Sequence, residues 1–308
     1  MVSAARHLGG ETLRCAPGDE SGPVEPWFLR RGDYSAGEAG SSTDLPITSL
    51  SSILAGMTRV IVVANQKGGV GKTTTVANLG AALAELGGKV ILVDLDPQGA
   101  LTAGLGFDPY TLTRTAYTLL VRDNASLASV LRPVSDRLAL IPASVDLASV
   151  EYQLSDRPDR AHRLQNALAH SRVPVDFILI DTPPNIGLLT VNGLAAAREL
   201  LIPVQCQYLA MRGVRSLLES VWLVHERLNP KLNLLGVLAT MYKKDSLHAQ
   251  EVVAELRAVF DNKVFEAVIG DDDAVAQAPV ARKSVLTYRP ESEAAAAFRR
   301  LAEEINHA

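Results

Sequence analysis

The sequence predicts an α/β fold, a mostly parallel twisted sheet with helices on both faces. Three observations carry that expectation. From residue 58 onward, short apolar runs alternate with stretches of helical period, as successive βαβ units do. Polar residues do not interrupt the apolar runs, which describes strands covered on both faces. The run Val60-Ile61-Val62-Val63-Ala64 passes through a glycine-rich loop into a helical pattern from Thr75 to Leu86. That is the strand, loop and helix order a phosphate-binding loop requires.

Strands are expected near residues 59–64, 89–93, 138–141, 175–180, 199–204 and 233–240, with helices between them. Segment 105–132 reads as a pair of short helices parted by the polar break Arg122-Asp123-Asn124. Apolar residues recur at helical spacing from Val214 to Leu228, the pattern of a packed helix. An alanine-rich amphipathic helix, Glu291 to Ile305, closes the chain. The run Ala294 to Ala297 gives it few bulky apolar groups, so it is expected to pack on the sheet rather than lie on a membrane. Residues 1–56 are rich in Gly, Ser, Pro and acids and have neither period, which reads as a disordered extension before a folded domain at 57–308. Met57 stands directly before the first strand, so an over-extended gene start explains the extension as simply as a genuine tail.

Composition sets bounds. The 308 residues are 47% hydrophobic with a mean hydropathy of +0.12, enough for one large core or two modest domains. No apolar run approaches the roughly 18–20 residues that span a bilayer. Arg6 and Gly9-Gly10 break any signal-peptide pattern, and a cytoplasmic location with no membrane partner is expected. Cys15 and Cys206 lie far apart, a poor basis for a disulfide or a metal site. Net charge is −4 with an isoelectric point near 5.9. Residues 1–56 hold four basic and seven acidic residues, leaving 26 basic and 27 acidic in the body. Bulk charge of this kind does not advertise nucleic-acid binding.

The loop carries the chemistry. In Asn65-Gln66-Lys67-Gly68-Gly69-Val70-Gly71-Lys72-Thr73-Thr74, glycines let successive N–H groups turn toward one anion. The helix that follows adds the positive end of its dipole at the same place. Lys72 is placed to reach β- and γ-phosphates, and the Thr73 hydroxyl to ligate Mg²⁺. Gln66 occupies the first glycine position of the ordinary G-x-x-x-x-G-K-[ST] pattern, and a second lysine, Lys67, stands at the front. Asp94, Asp96 and Asp181 end two apolar strands at the carboxyl side, where open α/β sheets bind their ligands.

K-G-G-V-G-K-T-T resembles the deviant Walker A motif of the ParA/MinD group of ATPases, whose extra lysine is Lys67 here. D-L-D-P-Q-G at residues 94–99 is similar to the group's second strand and switch, and D-T-P-P at 181–184 to its Walker B segment. G-L-L-T-V-N-G-L at 187–194 and I-P-V-Q-C-Q-Y at 202–208 resemble chromosomal ParA (Soj) proteins rather than MinD. The likeness covers about residues 57 to 306 in order and spacing.

The resemblance implies a slow, partner-stimulated Mg²⁺-dependent ATPase of the deviant Walker A type of P-loop fold. Lys67, Gly68, Gly69, Val70, Gly71, Lys72, Thr73 and Thr74 would hold ATP, with Met241 near the adenine. Thr73 and Asp181 would serve Mg²⁺, with Asp94 supporting its shell, and Asp96 would orient the attacking water. Lys67 would cross to the ATP of a second copy, giving an ATP-gated homodimer. A ParB-like activator and non-specific DNA would be its partners in chromosome or plasmid partition, with association with the nucleoid. A related ATPase positioning another cargo, or a MinD-like spatial regulator, is the alternative. An amide-forming synthetase or an iron–sulfur reductase is the outlying one; the first is expected to need an added segment, the second more cysteines. The sequence departs from the family at residues 269–279, where Asp271 and Ala274 replace common arginines. Lys243, Lys244, Arg282, Lys283, Arg289, Arg299 and Arg300 remain as candidate phosphate contacts.

Overall fold

Strand Arg59–Val63 (β1) lies in the interior of the sheet, and the order of the strands around it places the candidate site. A computed structural model describes residues 58–170, 173–207 and 210–308. All of these lie in one compact unit, Leu45–Ala308. The expected extension and Cys15 fall outside the described residues, as does the expected boundary at residue 56.

Helix Lys72–Glu85 (α1) connects β1 to Val90–Asp94 (β2). Short helices Ala100–Gly104 (α2), Ala116–Val121 (α3) and Leu127–Val130 (α4) lead to Arg132–Ser135 (β3) and Leu138–Ile141 (β4). Helices Val150–Gln153 (α5) and Arg163–Ala169 (α6) precede Phe177–Asp181 (β5). Then come Leu188–Ala196 (α7), Glu199–Gln205 (β6), Ala210–Arg227 (α8) and Asn233–Thr240 (β7). The chain ends with Leu247–Phe260 (α9), Asp273–Gln277 (α10), Val285–Tyr288 (α11) and Glu293–His307 (α12).

The sheet runs β3-β4-β2-β5-β1-β6-β7. Every neighbouring pair is parallel except β3 with β4. All six expected strands are present within about two residues of the expected bounds. β3 is the addition. Its sequence, Arg132-Pro133-Val134-Ser135, alternates half-buried and exposed residues at the sheet edge, the position where a proline without an N–H is tolerated. The two short helices expected around Arg122-Asp123-Asn124 are α3 and α4.

β2 and β5 are buried along their whole length, so their terminal carboxylates are carried into the interior with them. α1 lies close against β2: a Cβ on Gly80 would come 2.5 Å from Leu92 Cδ2. The closing helix packs along α1, burying Ala294, Ala295, Ala297, Phe298, Leu301, Ala302 and Ile305. Its alanines permit the close approach. Arg299 Nε meets Glu85 Oε2 at 2.8 Å, and the Arg59 guanidinium bridges Glu199 on β6 to the Ile305 carbonyl. The apolar face of the closing helix is internal, but its main seat is the loop-bearing helix rather than the expected sheet. Among the described residues, no helix is long and apolar enough to cross a membrane.

Because Phe298 is fully buried where α12 meets α1, Phe298→Ala should lower the unfolding free energy by about 3–5 kcal/mol. Urea unfolding followed by circular dichroism measures it.

Candidate functional site

The carboxyl ends of β1, β2 and β5 meet at one edge. In register, Val63 pairs with Asp181 and Asp181 with Asp94. The loop from β1 to α1 rises over this edge. Gly69 and Gly71 adopt φ of 72° and 88°, the left-handed region that a side chain resists, and Gly71 directly precedes α1.

Long-range hydrogen bonds hold the loop. The buried Asn65 amide donates to Pro203 O on β6 at 2.8 Å, while its oxygen accepts the Lys67 N–H at 3.0 Å. Thr240, at the end of β7, donates to Val70 O at 2.9 Å. Thr182 donates to Val63 O at 2.9 Å. Gln66 reaches α8 through Ser216 and Ser220. None of these braces was assigned from sequence; Gln66 stood out only as a departure from the ordinary pattern.

The two loop lysines have different surroundings. Lys72 is buried, and its Nζ is 3.4 Å from Lys67 O. Burial holds its pKa below the ordinary lysine value, against the attraction of Asp181 and then Asp96. Lys67 is exposed.

The carboxylates divide similarly. Asp94 is fully buried but hydrogen-bonded: Oδ2 accepts from Thr102 N at 2.9 Å and Thr102 Oγ1 at 2.7 Å, and Oδ1 from Asp96 N at 3.1 Å. Burial pushes its pKa up to about 6 despite those bonds. Asp96 sits half-buried on the following turn, its carboxylate accepting Gln98 N at 2.9 Å. Asp181 is fully buried, and neither oxygen has a partner in hydrogen-bond geometry among the described residues. The Thr73 hydroxyl lies close enough to temper its proton affinity without satisfying that geometry. Burial first, and then the charge of Asp94, hold Asp181 well above the usual carboxylate range.

An orphaned buried carboxylate beside a threonine hydroxyl and a glycine cradle fits a hard cation with an anionic ligand. Thr73 and Asp181 offer the oxygens. Asp94 accepts from Thr102 and from the Asp96 amide, which ties it to the turn that carries Asp96. Thr74 lines a cavity of about 40 Å³ with Thr73, Asn78 and Lys283, room for about one water. Met241 has φ 50° and follows Thr240, the residue that reaches Val70 O. A groove of about 870 Å³ bordered by Leu119, Asp123, Arg163 and His170 lies elsewhere and contains none of these residues.

A family model described as AAA domain matches residues 58–234. The sporulation initiation inhibitor protein Soj of Bacillus subtilis is 40% identical over 250 residues, 81% of this chain and 98% of that one. The chromosome-partitioning ATPase Soj of Thermus thermophilus is 46% identical over 247 residues, 80% of this chain and 95% of the relative.

This chain belongs to the ParA/Soj family.

The crystal structure of a protein described as cobyrinic acid a,c-diamide synthase from Mycobacterium smegmatis, with bound ADP and magnesium, is 39% identical. It aligns at a TM-score of 0.70 over 80% of this chain and 93% of its own. The ParA/Soj fold is confirmed, a seven-stranded mostly parallel sheet with the loop at its carboxyl edge.

Cys206 is buried and its thiol is pushed up to about 11 by burial, as suits a small core residue. Lys243 pairs with Asp271 at 3.3 Å and Lys244 with Glu293 at 2.6 Å. Asp272 caps α10 by accepting from Ala274 N. The acidic segment at 271–273 thus neutralises one expected phosphate contact and starts a helix.

The Asp181 environment sets a pH dependence. Its folded pKa lies above the unfolded one, so the folded chain holds the extra proton, and stability falls as pH rises between the two values. Asp181→Asn removes the buried charge and the repulsion from Asp94, both larger than the lost attraction to Lys72. The ligand-free variant should be stabler than wild type at pH 7.5, with the gain shrinking toward pH 4, in urea titrations at both pH values.

Proposed function

We propose that this chain is a Mg²⁺-dependent ATPase that dimerises on ATP and partitions chromosome or plasmid DNA with a ParB-like activator. The observation that carries this reading is the contrast between the two lysines of one loop. Lys72 is buried against Asp181 and Asp96, whereas Lys67 is exposed. A single phosphate chain needs the first; the second is free for a neighbour.

In this reading Gly68, Gly69, Val70 and Gly71 present backbone N–H groups to the phosphates, and Thr74 bonds the α-phosphate. Lys72 neutralises charge on the β- and γ-phosphates. Thr73 and Asp181 would hold Mg²⁺, and the ion when bound would offset negative charge on the phosphates. Asp96 aligns a water in line with the γ-phosphorus. The water oxygen bonds to phosphorus as the bond to the β,γ-bridging oxygen breaks, ADP leaves with that electron pair, and the water proton passes to solvent. Met241 borders the adenine. Catalysis is mainly positioning and charge neutralisation. Turnover alone is expected at about 10⁻⁴–10⁻² s⁻¹, as in NTPases with an incomplete catalytic set.

Lys67 reaches the ATP of a second copy, so each site is completed in trans. Loss of the γ-phosphate removes the charge that holds both lysines, and the dimer falls apart as ADP forms. The folded domain at 57–308 is sufficient for this cycle, in a cytoplasmic protein that collects on the nucleoid when DNA is bound.

A second reading, a ParA-like ATPase that positions a cargo other than DNA, is favoured by one observation. Two lysines of the expected DNA face are engaged with Asp271 and Glu293. Arg299 is likewise engaged, with Glu85. Every cation withheld from a DNA phosphate flattens the log–log salt slope by about 0.9. Exposed pairs of this kind are weak, so phosphate can compete for the lysines.

Lys67→Ala should abolish ATP-dependent dimerisation in light scattering while nucleotide affinity stays largely intact; a persisting dimer contradicts the trans-lysine account. DNA binding measured with ATP, ADP and no nucleotide across a salt series tests the cargo. Partition predicts ATP-only binding with a steep salt slope. Absence of binding at low salt transfers the function to another cargo.

A further inference from the structure

We propose that Gln66 is a positioning residue that fastens the Lys67 end of the loop to α8, so that the reach of Lys67 toward a second copy depends on that helix. The inference rests on the trans role of Lys67 given above. Gln66 stands where an ordinary phosphate loop has its first glycine, and both its amide oxygen and its amide nitrogen are hydrogen-bonded. Oε1 accepts from Ser216 Oγ at 2.9 Å, while Nε2 donates to Ser216 O at 3.3 Å and Ser220 Oγ at 3.2 Å. Ser220 Oγ in turn donates to Ser216 O at 3.2 Å. The two serines are four residues apart and share one face of the helix. Val214, Leu217, Val221 and Val224 seat α8 in the protein by its buried face.

This bracket is surplus to forming the turn. Asn65 already fixes the backbone there, through Pro203 O on one side and Lys67 N on the other. What Gln66 adds is a link between the residue next to Lys67 and a different element. The link is partly open to solvent, with Ser216 exposed, so water competes for it and its contribution to folding is small. A contact of this strength holds a lysine in one direction but yields if the helix shifts. Lys67 is a long, entropically costly side chain. Fixing the backbone from which it departs lowers the cost of extending it across an interface.

A double-mutant cycle tests the link. Ser216→Ala is a helix-favouring change on an exposed surface, so folding is preserved. The dissociation constant of the ATP-bound dimer is measured by analytical ultracentrifugation for wild type, Gln66→Ala, Ser216→Ala and the double variant. ATP affinity and the urea midpoint are followed in parallel. Each single change should weaken the dimer about three- to ten-fold, and the double change no more than the stronger single one, as coupled neighbours behave. ATP affinity and the urea midpoint should not move. Additive effects, an unchanged dimer in Gln66→Ala, or a parallel loss of ATP affinity would overturn the proposal. If Lys67→Ala loses the dimer and Gln66→Ala keeps it, only the positioning role fails. If Lys67→Ala keeps the dimer, the trans-lysine reading itself fails.

Discussion

The insertion of β5 between β1 and β2 is the constraint on which the rest of the site depends. Parallel pairing in that register puts Asp181 between Val63 and Asp94 at one edge. Two carboxylates and the Lys72 ammonium are thereby held inside the protein. Charges of this kind are costly unless they are paired, hydrogen-bonded or bound to a cation. Thr102 and the Asp96 amide satisfy Asp94. Nothing among the described residues does the same for Asp181, and its carboxylate is the group whose chemistry calls for an outside partner.

The surrounding elements keep that edge rigid. Gly80 lets α1 approach β2, and α12 covers α1 from the other side with alanines and Phe298. Asn78 joins α1 to the start of α11 by accepting Val285 N at 2.7 Å. Each of the strands flanking the loop contributes a brace: Asn65 to β6, Thr182 from β5 and Thr240 from β7. The loop is therefore fixed at both ends while its middle, from Lys67 to Gly69, stays exposed. That division suits a cradle that must admit a ligand without rearranging.

Much of this was legible in the sequence, because its main signals are local. Unbroken apolar runs marked the six parallel strands, and the spacing of glycines and lysines marked the loop. β3 escaped because four residues with a proline carry almost no strand signal. Asn65, Thr102 and Thr240 escaped for another reason. They act through hydrogen bonds to residues eight to 170 positions away, which no local pattern encodes. Gln66 was visible as an anomaly, but its meaning needed α8 beside it. The acidic segment at 271–273 was visible as a departure from the family; its ion pair with Lys243 and its capping of α10 needed coordinates.

Asp181 and Thr73 fit a nucleotide bound together with its divalent cation. The most direct measurement is the shift in melting temperature produced by saturating ATP with Mg²⁺, compared with ATP in EDTA, for wild type and for Asp181→Asn. A larger shift with Mg²⁺ is expected in the wild type, and loss of that difference in the variant, since ligand stabilisation follows affinity for the folded state. Equal shifts with and without Mg²⁺ in the wild type, or a difference retained by Asp181→Asn, would contradict it.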